Sequence, residues 1–426
     1  MLRIGDFEGL DTVLRRYQQA FEKDHARHRA VEVAFNAFAN SDESLASQFD
    51  QWIAKMPNSY AAHLGRGMYL DHLGLLARGN GSIRQTQPER LAAAESFLKP
   101  AKTELEQALA LNPHLIMGYR YLEGLESVSG QRDRALQLLQ AGLAQYPQSV
   151  MLHLRYLREL EPSWGGSFGD IEGYGHALGK RFPNDPTLTV LDAYEDFAKG
   201  DDALAHRQAS GAIVYLDRAL EKDPDSPIYL LDRSRASFAF YRYDDALSFA
   251  IRALASEPQD PNILAWISRY QLSRSHFEEA IAAAGKAIAL DRLDPDALLY
   301  RAIAERYLGR RAEAVRDIDD AIIFGKYDPF VHVERSRDLM QFQGRVDDSI
   351  DAARQATQLD PYNADAWLML ATGLMMRQDC EAPIAIAQWH ATCTARHDCS
   401  KETESIAPSL IPQLMSHCHL GPSRPR

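Results

Sequence analysis

Proline returns at a fixed distance along this chain. Pro113 (ALALNP) and Pro147 (LAQYP) lie 34 residues apart, as do Pro224 (LEKDP) and Pro258 (LASEP), and Pro361 closes a further run, TQLDP. Alanine keeps the same beat. Ala246, Ala280 and Ala314 are spaced 34 and 34, each opening an apolar-periodic run (DDALSFAIRAL, EEAIAAAGKAI, AEAVRDIDDAI). Ala253, Ala287 and Ala321 follow seven residues later, which is two helical turns and hence the same helix face. Small residues on one face let a neighbouring helix approach closely. The period therefore predicts an all-α fold of stacked helix pairs, in which no pair buries its apolar face alone and neighbours share one continuous core.

This pattern resembles the tetratricopeptide repeat (TPR). The last full unit reads Asp365-Ala-Trp367-Leu-Met-Leu370-Ala371-Thr-Gly-Leu374, similar to the family's W-x2-L-G-x2-Y with Ala in place of Gly and Leu in place of Tyr. The resemblance implies an α–α superhelix, a right-handed solenoid. Several places depart from it. The unit before Pro224 is longer by about seven residues, Lys326 stands where proline is expected, and Arg301 and Arg337 occupy positions that are usually apolar or small.

The N-terminal half reads as helix pairs with weaker phasing. QWIAKMP ends one helix, Tyr60 to Arg78 makes a long one with Gly67 at the small-residue position, and a polar loop, GNGSIRQTQPER, leads into a second long helix towards Leu111. These hairpins are lengthened and atypical. The set LD-x2-L (Leu10 to Leu14), W-x4-P-x2-Y-A (Trp52 to Ala61), a long helix ending Arg78-Gly79, and Trp164-Gly165-Gly166-Ser167 resembles an uncharacterised bacterial domain found with TPR-like helices. That resemblance implies no established reaction. The organisation expected is an atypical helical domain over 1–183, a TPR array over 184–393 and a C-terminal tail over 394–426.

The formal charge of −12, with no long basic block, argues against nucleic-acid binding, which needs a basic face to release counterions. No run approaches the ~20 apolar residues of a membrane span, and Asp6, Glu8 and Asp11 interrupt any signal-peptide core. A cytoplasmic location is expected. All four cysteines lie between Cys380 and Cys418, so the preceding chain folds without disulfides.

No P-loop, dinucleotide fingerprint, HExxH or kinase signature occurs. Asp244/Asp245, Glu278/Glu279 and Asp347/Asp348 recur at one repeat position, before the second helix, where negative charge favours a helix N-terminus; catalytic pairs would not recur in every unit. In Trp164-Gly-Gly-Ser167 the two glycines break the helix and Ser167 caps the next, a structural corner. The rival reading makes Ser167 a nucleophile with His176 nearby, yet without a G-x-S-x-G elbow or strand pattern. Cys380, His390, Cys393, His397, Cys399, His417, Cys418 and His419 crowd the C-terminus. Ordinary thiols are the main expectation there. A Cys380–Cys393 disulfide bridging the last hairpin and a zinc set around Cys393-x3-His397-x-Cys399 are the alternatives. No catalytic residue, resident metal or cofactor is expected.

The TPR resemblance implies that the first helix of each pair lines the concave face through its fifth, ninth and twelfth positions. Here these give Leu231, Arg235 and Phe238; Ala265, Arg269 and Leu272; Leu299, Ile303 and Arg306; and Leu368, Thr372 and Met375. Leu231, Arg235, Phe238, Arg269, Leu272 and Arg306 form the expected partner-binding set, an apolar groove bearing arginines. Guanidinium forks bind carboxylates bidentately, so a protein or peptide partner with an acidic segment fits. Against this stands the reading that the arginines pair with acidic side chains of the fold. The lysine and asparagine of the family's chaperone-tail clamp are missing. The function expected is a non-enzymatic interaction scaffold. An enzyme with its site near the W-G-G-S corner, and self-association through terminal repeats, are the rival readings.

Overall fold

The computed structural model describes residues 1–79, 86–183, 185–206 and 208–396. Those residues form twenty-one α-helices, a few 3-10 turns and no strand. The packing divides into two units, Met1–Tyr270 and Gln271–Arg426.

The first unit opens with α1 (Phe7–Lys23), α2 (His28–Asn36) and α3 (Ala46–Lys55). Helix pairs follow: α4 (Tyr60–Arg78) with α5 (Pro88–Leu111), α6 (Ile116–Val128) with α7 (Arg132–Gln145), α8 (Val150–Glu159) with α9 (Phe168–Arg181), α10 (Tyr194–Ala205) with α11 (Ala209–Lys222), and α12 (Pro227–Ala239) with α13 (Tyr243–Ser256). Helix α14 (Pro261–Ser273) carries the boundary between the units. The second unit contains α15 (Phe277–Leu290), α16 (Pro295–Tyr307), α17 (Arg311–Phe324), α18 (Pro329–Gln341), α19 (Val346–Leu359), α20 (Ala364–Met376) and α21 (Ala382–Arg396). In the first unit successive first helices touch in the order α4, α6, α8, α10, α12, forming one layer, with the second helices behind them. Helices α16, α18 and α20 do the same in the second unit.

The residues of the beat lie where close packing requires them. Ala246, Ala253, Ala280, Ala287, Ala314 and Ala321 are all buried. A Cβ on Gly67 would come within 2.7 Å of Leu105, so glycine is what lets α4 lie against α5. The acidic pairs stand in the first turns of α13, α15 and α19, as the dipole argument expects.

A recurrent hydrogen bond explains why the repeat boundary survives the loss of its proline. The ring N–H of His63, His153 and Trp367 donates to the carbonyl of Pro57, Pro147 and Pro361, at 3.0, 2.9 and 2.8 Å. Where Lys326 replaces proline, His332 donates to the Lys326 carbonyl at 2.8 Å. Each bond ties the first turn of one helix to a backbone carbonyl of the turn that leads into it. The off-pattern arginines are paired within the fold: Arg301 grips Asp317 with two N–H bonds at 2.6 and 2.8 Å, and Arg337 donates to Glu334.

The N-terminal motifs meet one another. Helix α1 runs across three successive repeat junctions. Its Asp11 accepts from the hydroxyl of Ser59, which caps α4; its Gln18 donates to the His114 carbonyl at 2.7 Å; and its Phe21 packs on Tyr146 at 5.1 Å. Arg15 pairs with Asp11 and lies 4.9 Å over Tyr60, while Phe7 stacks on the fully buried Trp52. The LD-x2-L and W-x4-P-x2-Y-A motifs are thus two halves of one strap. The core around Leu157, Ile171, Leu178, Leu191 and Ala198 runs through residue 183 without a break in packing.

Candidate interaction face on helices α12 and α14

Leu231, Arg235 and Phe238 stand at i, i+4 and i+7 of α12 and share one face. Arg269 on α14 reaches the same place: its guanidinium lies 5.0 Å from the ring of Phe238 and 5.0 Å from that of Trp266. Arg235 lies 5.6 Å over Trp266 and donates to Asp232 at 2.7 Å, with nearly half of its own side chain exposed. Beneath them Phe238 packs on Tyr270, whose hydroxyl meets that of Ser234 at 2.9 Å in the core. Two guanidiniums on one indole are attracted by its ring face.

The local electrostatics favour keeping Arg235 charged. Burial works against its charge, but Asp232 beside it outweighs this and holds its pKa above the ordinary arginine range. Asp232 itself is pushed up to about 6 by burial, against the pull of Arg235.

The expected set is not all alike. Leu231, Arg235, Phe238 and Arg269 belong to the first unit and come together. Leu272 is half-buried and Arg306 is buried, both in the second unit. Arg306 donates to Glu334 at 2.8 Å, each partner nearly inaccessible, and packs over Phe342. It ties α16 to α18 rather than facing a ligand, because a buried guanidinium needs a buried counter-charge. Ala265 and Leu299 of the wider groove are likewise buried. Trp266 escaped the position rule, which reads only every third or fourth residue; an aromatic three residues before Arg269 on one helix was the available signal.

The W-G-G-S corner is structural in its bonding. Gly165 has φ +91° at the end of a 3-10 turn, and a Cβ on Gly166 would fall 2.1 Å from the Leu160 carbonyl oxygen. The Ser167 hydroxyl accepts from the Asp170 N–H at 3.2 Å and donates to the Asp170 carboxylate at 2.7 Å. Arg158 lies over Trp164.

The C-terminal cysteines correct the expectation of ordinary thiols: Cys380 and Cys393 are both disulfide-bonded. Cys380 sits in the turn before α21 and Cys393 is buried on that helix, so both are held by the last hairpin. His397, Cys399, His417, Cys418 and His419, like most of the GNGSIRQ loop, lie outside the described residues. Among the described residues no His, Cys, Asp or Glu group has a metal-holding arrangement, and no helix is long and apolar enough to cross a membrane.

Comparison with known proteins agrees with this architecture. The model of a domain of unknown function (DUF4034) matches residues 1–163, and two tetratricopeptide-repeat models match residues 203–270 and 267–329. No curated protein matches the sequence. Among solved structures, the Cut9–Hcn1 hetero-tetramer of the APC/C is 14% identical, with 96% of this chain and 73% of that one covered, at a TM-score of 0.53. A thermophilic TPR protein of Thermus thermophilus is 18% identical over 43% of this chain and 99% of its own, at a TM-score of 0.40. A tetratricopeptide repeat protein from Parabacteroides merdae is 16% identical over 58% and 93%, at 0.44. The chain thus carries a DUF4034 domain over residues 1–163 and tetratricopeptide repeats over residues 203–329, in an all-α solenoid fold.

Proposed function

We propose that this protein is a non-catalytic scaffold that docks a protein or peptide segment bearing carboxylates on the α12 and α14 face. The observation that carries this reading is the pair Arg235 and Arg269 over the one indole of Trp266, on a face that also holds the half-buried Leu231 and Phe238. Apolar contacts would supply area, and the two guanidiniums would select for acidic side chains or a C-terminal carboxylate. The missing clamp residues point away from chaperone tails. The acidic average of the chain favours a protein over a nucleic acid as partner. A cytoplasmic place of work would require the bonds at Cys380 and Cys393 to persist against the reducing glutathione pool.

The test is affinity capture by the tagged chain and by its Arg235→Glu/Arg269→Glu variant, read by mass spectrometry. A partner held by the wild type and lost by the variant is the expected result. Equal capture by both would overturn the assignment of this face.

A further inference from the structure

The last helix pair of the second unit carries two cysteines whose partners follow from reach alone. Cys380 and Cys393 are both disulfide-bonded, and the four cysteines of the chain allow three pairings. A bond between Cys380 and Cys393, the hairpin bridge expected as an alternative, is excluded. Cys393 stands eleven residues beyond Ala382, the first residue of α21, and hence about 16 Å along the helix axis. The two residues from Cys380 to Ala382 span at most about 7 Å, so the two Cα atoms stay about 9 Å apart or more. A disulfide bridges no more than about 7 Å.

The other two pairings are told apart in the same way. The Ala382 N–H donates to the Asp379 carbonyl at 3.1 Å, which sets Cys380 off the N-terminal end of α21. Arg396, the last residue of the helix, is therefore about 21 Å away, and the three residues on to Cys399 recover at most about 11 Å. Cys399 is within reach of Cys393 and out of reach of Cys380. The pairing left is Cys393 with Cys399 and Cys380 with Cys418, which takes the chain from one end of α21 back to the other.

Among the described residues α21 is the last helix, and one of its faces lies open. In the preceding repeat Ile350 of α19 is buried against α20, so close that a Cβ on Gly373 would lie 2.7 Å from its side chain. Ile384 stands 34 residues later, at the same place on α21, and is 60% exposed. Ala387 and Ala391, on the same face, are exposed as well. We propose that residues 400–417 run back along α21 and cover this face, as the first helix of a following repeat would, held by Cys393–Cys399 at one end and Cys380–Cys418 at the other. Their sequence supplies Ile406, Leu410 and Leu414, four apart, with Ile411 and Met415 beside them, and the outermost repeat of a solenoid needs such a cap. Each bond forms from two thiols, which lose two protons and two electrons to a disulfide oxidant that is reduced to its dithiol. This cover is independent of the α12 and α14 face, and either reading stands if the other fails.

The experiment is peptide mapping of the full chain, alkylated without reductant. Trypsin releases Gln378–Arg396 with Cys380 and Cys393, His397–Lys401 with Cys399, and Glu402–Arg426 with Cys418. One species containing all three peptides, which separates on reduction, is the expected result. A Glu-specific protease then cuts after Glu381, and the fragment with Cys380 should carry Cys418 while that with Cys393 carries Cys399. A closed Gln378–Arg396 peptide, a Cys380–Cys399 link, a link to a second chain or free thiols would each overturn the pairing. The cover has its own readout. p-Benzoylphenylalanine at Ala387 should, after irradiation and then reduction, retain the Glu402–Arg426 peptide of the same chain. No such adduct, or one formed only between two chains, would overturn the cover.

Discussion

Replacing Asp71 with asparagine should stabilise the first unit, and the gain should depend on pH in a calculable way. The carboxyl has a pKa of about 7 in the fold against 3.8 ordinarily, with burial as the main cause. A raised folded-state value means that the folded protein holds the proton more tightly than the unfolded chain does. Its contribution to stability is thus complete below pH 3.8, declines as pH rises towards 7 and is gone above that. The gap of about three units corresponds to about 4 kcal/mol at pH 8, of which only about 1.5 kcal/mol is realised at pH 5. Asparagine cannot ionise, so its advantage over aspartate should grow by about 2.5 kcal/mol between pH 5 and pH 8. The cost of burying an amide is the same at both values and cancels from this difference. Urea unfolding of wild type and Asp71→Asn at the two pH values, with equal slopes as the check on comparable denatured states, measures it. An advantage that does not change between pH 5 and pH 8 would refute the reasoning, and so would a loss confined to pH 8.

Three other outcomes follow from the geometry. Gly166→Ala places a methyl 2.1 Å from the Leu160 carbonyl oxygen and should lower stability by about 2–4 kcal/mol, whereas Ser167→Ala removes a helix cap worth about 1 kcal/mol and should leave partner capture intact. Arg306→Ala leaves the buried Glu334 carboxylate with Arg337 as its remaining partner and should cost about 2–3 kcal/mol in denaturant unfolding, while Arg235→Ala, on a half-exposed side chain, should cost less than about 1 kcal/mol. Peptide mapping without reductant should find Cys380 and Cys393 in cross-linked peptides, and recovery of both as free thiols would contradict the structure.

The repeat was legible because it is written in residues that act locally. Proline stops a helix and alanine allows close approach whatever lies further off, so Pro224, Ala246 and Ala253 revealed their roles in isolation. The extent of α4, Tyr60 to Arg78, could be read from its flanks for the same reason. The strap made by α1 could not, because Asp11 and Ser59, or Gln18 and His114, find each other only across successive junctions. The interaction face was half legible. Arg235 and Arg269 follow from the repeat register, but the same register offered Arg306, whose fate is decided by Glu334 two helices away. Asp71 looked like one more polar residue in a long helix. Its burial is decided by the helices packed against α4, which the sequence of α4 alone does not name. The thiol expectation failed because spacing alone does not tell which cysteines meet.

The most direct test of the scaffold reading places a photo-cross-linker on opposite sides of one repeat. p-Benzoylphenylalanine at Leu231, on the α12 face, is compared with the same group at Ile251, which is exposed on α13. After irradiation in the presence of the captured partner, an adduct from position 231 that is absent from position 251 is the predicted result. Adducts of equal yield from both, or from position 251 alone, would contradict docking on the α12 and α14 face.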